Sequence, residues 1–314
     1  MRFILKTIYI IILSLTVNTS FAKDAKKNTS TDNAHSAFNK GQYISAKKLA
    51  IEESKAGYKD SAYLLGEIYR KGFGTKLDIK QALTWYRKAA KLGHAEAAFI
   101  YGYALAKGQG IDEDIIQAKE YFLKAAKQGH VVAQYNLALI YGGLTKLPAD
   151  YSKTIKWLKL AAKNGHIQAL IDISTAYENG KGVEQNYTIA ANYMLRAAHS
   201  GSDVAMVRYA ILAASGNRFP PDIKLTTHWL KRAAELNNPI AQIRLARLYL
   251  EGVGVKKNTE TAVMLYRLAQ IKGAEDSWLE LKFKELPQAT LENGQKRANK
   301  WTKDTAKQLK SQEN

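Results

Sequence analysis

The sequence predicts an all-α solenoid, in which antiparallel pairs of helices stack one on another, from three regularities. The first is a period of 36 residues. The second is a set of small side chains at fixed places within that period, and the third is a glycine-rich loop between the helices of a pair. A period of this length is the signature of stacked supersecondary units. The markers of the period are Gly57, Gly93, Gly129, Gly165, Gly201, Asn237 and Gly273.

Small side chains occupy the columns where neighbouring helices should meet. Alanine pairs such as Ala89-Ala90 lie four and three residues before most markers. A Trp, Tyr or Leu lies eight residues before the marker. Small residues let helices approach closely, while the larger side chain fills the space beside them. The column four residues after the markers is also small, with Ser61, Ala97, Ala133, Ala169, Ala205, Ala241 and Ser277.

The composition suits a folded helical chain and excludes some classes of site. Of the 314 residues, 46% are hydrophobic and only five are proline. The chain has no cysteine, so a disulfide framework and a thiolate metal site are both excluded. The formal net charge of +19 favours acidic partners or anionic surfaces, unless the lysines merely solvate the outer helices. The sequence contains no motif that reads nucleic acid, so nucleic acid is not expected as a partner.

The first 22 residues have the pattern of a secretory signal peptide. Arg2 and Lys6 begin it, and the apolar run over 7–17 is too short to cross a bilayer as a stable helix. Ser20-Phe21-Ala22 then places small residues where a signal peptidase cleaves. We therefore expect an exported protein without a transmembrane segment, periplasmic or secreted further, with a polar leader over 23–33.

The array is expected to begin with an incomplete unit and to end with a cap. Residues 34–57 should form a helical hairpin that turns at Gly41, and six full units should follow over 58–273. Terminal units of repeat proteins carry a polar outer face, which the region 274–314 provides. The helices expected in that last region cover 275–285 and 290–310.

The unit 94–129 shows how one repeat should fold. Its first helix should cover 95–107 and end at Gly108-Gln109-Gly110, because glycine supplies the positive φ at a helix exit. Its second helix should begin near Asp114. Two other units carry different loops, over 144–148 and 216–221.

Several segments of the chain resemble the Sel1-like repeat, a relative of the tetratricopeptide repeat. They are Gly-His-Ala-Glu-Ala at 93–97, Leu-Gly-Glu-Ile-Tyr at 65–69, Gly-Phe-Gly at 72–74 and Trp-Tyr-Arg-Lys-Ala-Ala at 85–90. The resemblance extends over 34–285 and implies a right-handed superhelix, with first helices on the concave side and second helices on the convex side. It also implies an adaptor or scaffold, in bacteria often exported, that acts in envelope assembly, signalling or host interaction. A cysteine-rich subgroup of the family is linked to β-lactam binding and hydrolysis, and this chain lacks those cysteines.

Three histidines, His94, His130 and His166, recur at one position of the period and raise the question of a metal site. They are 36 residues apart and lie on different units, whereas imidazole ligands must converge on one point. They are interpreted as helix-start residues. The Gly-x-Gly loops likewise have no preceding strand and no following Lys-Ser or Lys-Thr pair, so they are interpreted as helix exits rather than phosphate cradles.

The sequence carries no recognisable catalytic constellation. It shows no Ser-His-Asp order, no paired acidic cleft and no metal signature, and carboxylates such as Glu96, Asp172 and Glu178 are scattered over helix faces. We therefore expect no catalytic residue, no metal and no cofactor.

A groove for a protein or peptide partner is expected along the first helices, by resemblance to tetratricopeptide repeats. Aromatic and aliphatic residues form a row six places after the markers, with polar and charged neighbours seven and ten places after them. Apolar anchors beside charged residues are the composition of a protein-binding surface. The period is equally compatible with packing of this row between adjacent first helices. The candidate partner-binding residues are Tyr63, Phe99, Tyr103, Tyr135, Leu139, Ile171, Arg208, Ile243, Arg244 and Arg247.

The sequence thus favours a non-catalytic scaffold whose basic surface helps to steer an acidic protein or peptide partner. Two alternatives stay open. One is an envelope-active enzyme that acts on β-lactams or peptidoglycan. The other is a binder of an anionic envelope polymer or lipid headgroup, through lysines such as Lys88, Lys124, Lys127, Lys156 and Lys163.

Overall fold

The protein is described by a computed structural model that covers residues 33–312, except 146 and 216–220. The predicted signal peptide over 1–22, the leader up to residue 32 and most of the loop over 216–221 lie outside the described residues. Within the described ranges every regular element is a helix. The helices are α1 Ala34–Asn39, α2 Tyr43–Lys55, α3 Lys59–Lys71, α4 Ile79–Lys91, α5 Ala95–Lys107, α6 Ile115–Lys127, α7 Val131–Tyr141, α8 Tyr151–Lys163, α9 Ile167–Asn179, α10 Tyr187–His199, α11 Asp203–Ser215, α12 Ile223–Glu235, α13 Pro239–Glu251, α14 Thr259–Ile271, α15 Ser277–Phe283 and α16 Gln288–Gln312.

The helices form an α-solenoid, as the period predicts. Each helix from α1 to α13 packs against the next one in the chain, and α16 packs back on α14. The odd-numbered helices α3 to α13 are the first helices of units one to six, and the even-numbered helices α4 to α14 are their second helices. A large side chain would not fit between them. The alanine four residues before each marker is 0% exposed in all six units, at Ala89, Ala125, Ala161, Ala197, Ala233 and Ala269.

The second helix of each unit, from α4 to α14, begins at an Asp or Asn, and the sequence-based prediction named one of these residues, Asp114. The side-chain oxygen accepts a hydrogen bond from the backbone N–H three residues later, at 2.8–3.0 Å. This N-cap satisfies one of the four backbone donors that the first turn of a helix leaves free. The capping residues are Asp78, Asp114, Asp150, Asn186, Asp222 and Asn258.

The markers of the period close the second helices in the left-handed conformation. Gly93, for example, has φ +90°, and Asn237 has φ +62°. Asparagine tolerates this region better than other residues with a Cβ, which explains why it can stand in a glycine column.

The two glycines of each Gly-x-Gly loop have different tasks. The first, such as Gly180, ends the first helix in the left-handed conformation, as predicted. The second lies against the first residue of the preceding unit's second helix. A Cβ on Gly182 would lie 2.7 Å from the Cβ of Tyr151, and one on Gly110 would lie 2.7 Å from Cγ2 of Ile79. The loop is therefore a joint between units as well as a helix exit.

The C-terminal region differs slightly from its prediction. Helix α15 begins at Ser277 rather than at 275, because Asp276 caps it by accepting a hydrogen bond from the Leu279 N–H at 3.0 Å. The long helix α16 covers the end of the stack at close range. A Cβ on Gly294 would lie 2.5 Å from Val263, and Ala298 is fully buried.

Candidate functional site

The row six residues after the markers lies mainly between adjacent units. Phe99, Ile171 and Val207 are only 9%, 7% and 4% exposed, whereas Tyr63, Tyr135 and Ile243 are half-buried. Of the two arrangements that the period allowed, the structure shows the one in which this row contributes to packing.

The aromatic members of this row stack on the histidines of the next unit. The ring centroids of Tyr63 and His94 are 4.3 Å apart, and those of Phe99 and His130 are 4.5 Å apart. The ring of Tyr135 lies 4.2 Å from that of His166 in the same way. Each histidine therefore covers the preceding aromatic ring and joins two units.

The same histidines cap the first helices. Their Nδ1 atoms accept hydrogen bonds from the backbone N–H groups of Ala97, Ala133 and Ala169 at 3.1–3.2 Å. Nε2 of His130 lies 3.0 Å from Glu96, and Nε2 of His94 lies 3.6 Å from Asp60. A histidine that accepts at Nδ1 is neutral, and burial lowers the pKa of His94 and of His166 below the ordinary value.

These contacts give the histidines a structural task in place of metal coordination. In the described ranges, no group of three or more His, Cys, Asp or Glu side chains could hold a metal ion.

A different set of side chains, most of them half-buried or exposed, lies on a neighbouring face of the first helices, and we call it the first-helix wall. It comprises the residues three, seven and ten places after each marker, which share one face of a helix with 3.6 residues per turn. The row six places after the markers points roughly 70° away from the middle of this face. The columns at seven and ten were predicted from the sequence, whereas the column at three was not; it contains Asp60, Glu96, Val132, Gln168, Val204 and Ile240.

The predicted partner-binding residues are distributed unevenly over this wall. Tyr103 and Leu139 are half-buried in it, whereas Arg244 and Arg247 are exposed. Arg208 is half-buried and donates to Thr175 Oγ1 at 3.1 Å. The remaining candidates, Tyr63, Phe99, Tyr135, Ile171 and Ile243, belong to the row between units.

Polar pairs join neighbouring first helices across the wall. The Tyr135 hydroxyl donates to Asp172 at 2.9 Å, and Arg208 binds Glu178 at 2.9 Å. Arg247 binds Asp276 at 2.6 Å and lies 5.2 Å from the centre of the Trp278 ring.

The three carboxylates weighed for an enzymatic function are each engaged by a neighbouring unit. Glu96 contacts His130, Asp172 accepts from Tyr135, and Glu178 pairs with Arg208. Burial raises the pKa of the Asp172 carboxyl, and hydrogen bonds from Gln168 and Tyr135 oppose that rise. The arrangement holds the units in register.

Charge and exposure change along the wall. Its carboxylates are Asp60, Glu67 and Glu96 in units one and two and Asp172 in unit four, whereas its arginines lie in units five and six. The largest exposed apolar side chains of the wall are also in units five and six: Val204 is 51% exposed, Ile211 37% and Ile240 54%. This end of the wall can contact another molecule with both apolar and cationic groups.

The lysines considered for an anionic polymer lie on the second helices. Lys127, Lys156 and Lys163 are exposed. Two others contact aromatic rings of their own helices, with Lys88 Nζ 5.1 Å from Trp85 and Lys124 Nζ 4.8 Å from Tyr121. Among the helices of the described residues, none combines the length and the apolar character needed to span a bilayer.

Comparison with solved structures shows the same fold elsewhere. A Sel1 repeat protein from Oxalobacter formigenes is 27% identical, and its match covers 77% of this chain and 97% of that one with a TM-score of 0.60. A protective antigen present in uropathogenic Escherichia coli strains, which displays an SLR fold, is 21% identical with a TM-score of 0.66. That match covers 86% of this chain but 61% of the antigen, so the chain spans about three fifths of its length. No curated protein sequence matches the chain.

The family match rests on consecutive units of the array. The model of the Sel1 repeat matches residues 59–94, 95–130, 131–166, 167–202, 203–238 and 239–269, which is more than half of the chain. Proteins built from Sel1 repeats are generally non-catalytic scaffolds for protein interactions. The chain belongs to the Sel1 repeat family.

Proposed function

We propose that this protein is an exported, non-catalytic scaffold that binds a protein or peptide partner along the first-helix wall and acts in an envelope process or in host interaction. The observation that carries this proposal is the exposure of aliphatic and arginine side chains at one end of the wall. Arginine is one of the residues that dominate the energy of protein interfaces, and exposed aliphatic side chains supply apolar area that a partner can bury. The three carboxylates weighed for catalysis are instead engaged in contacts between units.

The net charge of the chain supports an acidic partner. With +19 formal charges over 314 residues, the protein attracts anionic molecules at long range. Such attraction chiefly accelerates association and selects against cationic partners, while the apolar anchors supply affinity.

A photo-crosslinking amino acid at wall positions should capture the partner in the native cell. We expect at Tyr103 and Ile240 at least about five times the crosslinked product obtained at control positions on second helices, because the proposal places the partner against the first helices. Asn192 and Ile116 provide exposed controls on α10 and α6. Equal crosslinking at wall and control positions would contradict the proposal.

This design avoids Tyr63, Phe99 and Tyr135. These side chains stack on histidines between units, so that substituting them would disturb the fold itself and would not report on binding.

We propose that the protein is exported to the periplasm, because residues 1–22 have the pattern of a signal peptide. We expect mass spectrometry of the mature protein to find Lys23 as its first residue, because Ser20 and Ala22 provide small side chains at the cleavage site. Ala22→Arg should leave the precursor uncleaved, whereas Ala25→Arg, beyond the site, should be processed normally. A mature protein that retains residues 1–22 would refute this part of the proposal.

A further inference from the structure

We infer that the wall formed by α11 and α13 is a docking site for a partner segment that presents a side-chain carboxylate beside large aliphatic residues. The inference rests on the proposed function and specifies the chemistry of the partner. It concerns units five and six only.

Exposed apolar side chains on two adjacent helices supply the first observation. Val204 and Ile211 are seven residues apart on α11, hence on one face, and Ile240 occupies the corresponding face of α13. The two helices are tied together at their starts, where Asn238 Nδ2 donates to Asp203 at 2.8 Å. The three aliphatic side chains are 37–54% exposed, which leaves apolar surface that a partner would bury.

An arginine without a partner supplies the second observation. Arg244 lies one turn after Ile240 on the same face of α13, and it forms no hydrogen bond or ion pair with another described residue. The arginines on either side are occupied: Arg208 binds Glu178, and Arg247 binds Asp276. Arg244 thus offers the donors of its guanidinium one helical turn from the exposed side chain of Ile240.

Charge complementarity identifies the occupant. A guanidinium pairs best with a carboxylate, often through two parallel hydrogen bonds, and the pair strengthens when apolar neighbours exclude water. The carboxylates close to this surface, Asp203 and Asp276, are already bound to Asn238 and Arg247. A carboxylate of the partner is therefore the group that can pair with Arg244, and the exposed Ile240 one turn away favours apolar residues next to that carboxylate.

The test selects ligands from a library of random peptides displayed on phage, with the full mature chain as bait. One enriched peptide and its version with every Asp and Glu changed to Asn and Gln are then titrated by fluorescence anisotropy. The protein variants are Arg244→Ala and Ile240→Ser on the wall. Arg87→Ala and Ile116→Ser are matched controls at exposed positions of second helices. Circular dichroism verifies that each variant keeps its helices.

We expect the enriched peptides to combine Asp or Glu with large aliphatic residues. Arg244→Ala and Ile240→Ser should each weaken binding about tenfold or more, as should neutralising the peptide, whereas the controls should bind as the parent protein does. Enriched peptides that bind Arg244→Ala and Ile240→Ser as tightly as the parent would overturn the inference and leave the proposed function standing. Failure to enrich any peptide would overturn both.

Discussion

Replacing Gly182 by alanine is expected to lower the free energy of unfolding by about 2–4 kcal/mol, against about 1 kcal/mol for the same change at Gly165. Both glycines have positive φ, +77° and +84°, so both variants carry the same backbone penalty. They differ in surroundings. A Cβ on Gly182 would lie 2.7 Å from the Cβ of Tyr151 and 2.9 Å from its carbonyl oxygen, whereas a Cβ on Gly165 would meet nothing within 4 Å.

The measurement is chemical denaturation together with hydrogen exchange. Stability in a repeat array is a sum of units and interfaces, so the loss should appear as faster exchange in α8 and α9, on either side of the disturbed joint. The Gly165→Ala variant is the control, because it measures the cost of placing alanine at positive φ without a steric contact. Equal losses in the two variants would show that the loop does not join the units.

Replacing His94, His130 and His166 together by alanine is expected to cost about 3–6 kcal/mol, or about 1–2 kcal/mol for each lost cap and ring contact. Asparagine at the same positions should cost much less. The chain itself provides the precedent, because Asn238 at the equivalent position caps α13 by accepting from the Ala241 N–H at 3.0 Å. Thermal and chemical denaturation of the two triple variants give the comparison.

The asparagine variant should also be less sensitive to acid than the native protein. Burial lowers the pKa of His94 and of His166, so at acidic pH these histidines bind protons more readily in the unfolded chain than in the folded chain. The stability contributed by the neutral imidazoles is complete above the unfolded pKa of about 6.5 and is lost as the pH falls below it. Melting temperatures between about pH 7.5 and 5 should therefore fall more steeply for the native protein than for the asparagine variant. Parallel curves would assign the acid sensitivity to other groups.

The fold could be predicted because the same residue types recur at the same positions of the 36-residue period. Small residues recur where helices meet, and glycine or asparagine recurs where the chain must turn into the left-handed region, as at Gly93 and Asn237. The caps of the second helices were also readable, since Asp or Asn stands at the same place in all six units, from Asp78 to Asn258.

The candidate site was only partly predictable. The period places the residues six after the markers on the first helices, but it does not state which neighbour covers them. A signal was nevertheless present. His94, His130 and His166 occur where the preceding unit has Tyr or Phe in that row. Where the preceding unit has Ile171 in the row, the position of the histidine is taken by Ser202. Columns compared across neighbouring units would therefore have revealed the stacked pairs.

Whether each arginine of the wall forms an ion pair could not be predicted from the sequence. Arg208, Arg244 and Arg247 are equivalent in charge and lie in the wall columns, yet only two of them have partners among the described residues. Pairing depends on whether an acid on a neighbouring first helix reaches the guanidinium, and that distance is a property of the folded array.

The stacked histidines have a consequence for how this molecule could change in evolution. Units two and three begin with the same cap and carry an aromatic ring at the same place, Phe99 in one and Tyr135 in the other. Deletion of 130–165 would bring His166 after Gly129 and against Phe99, with Glu96 beside it, which recreates a junction that the protein already contains. Duplication of the same segment would do likewise. The length of the array, and with it the span of its binding surface, can therefore change by whole modules without the invention of a new connection.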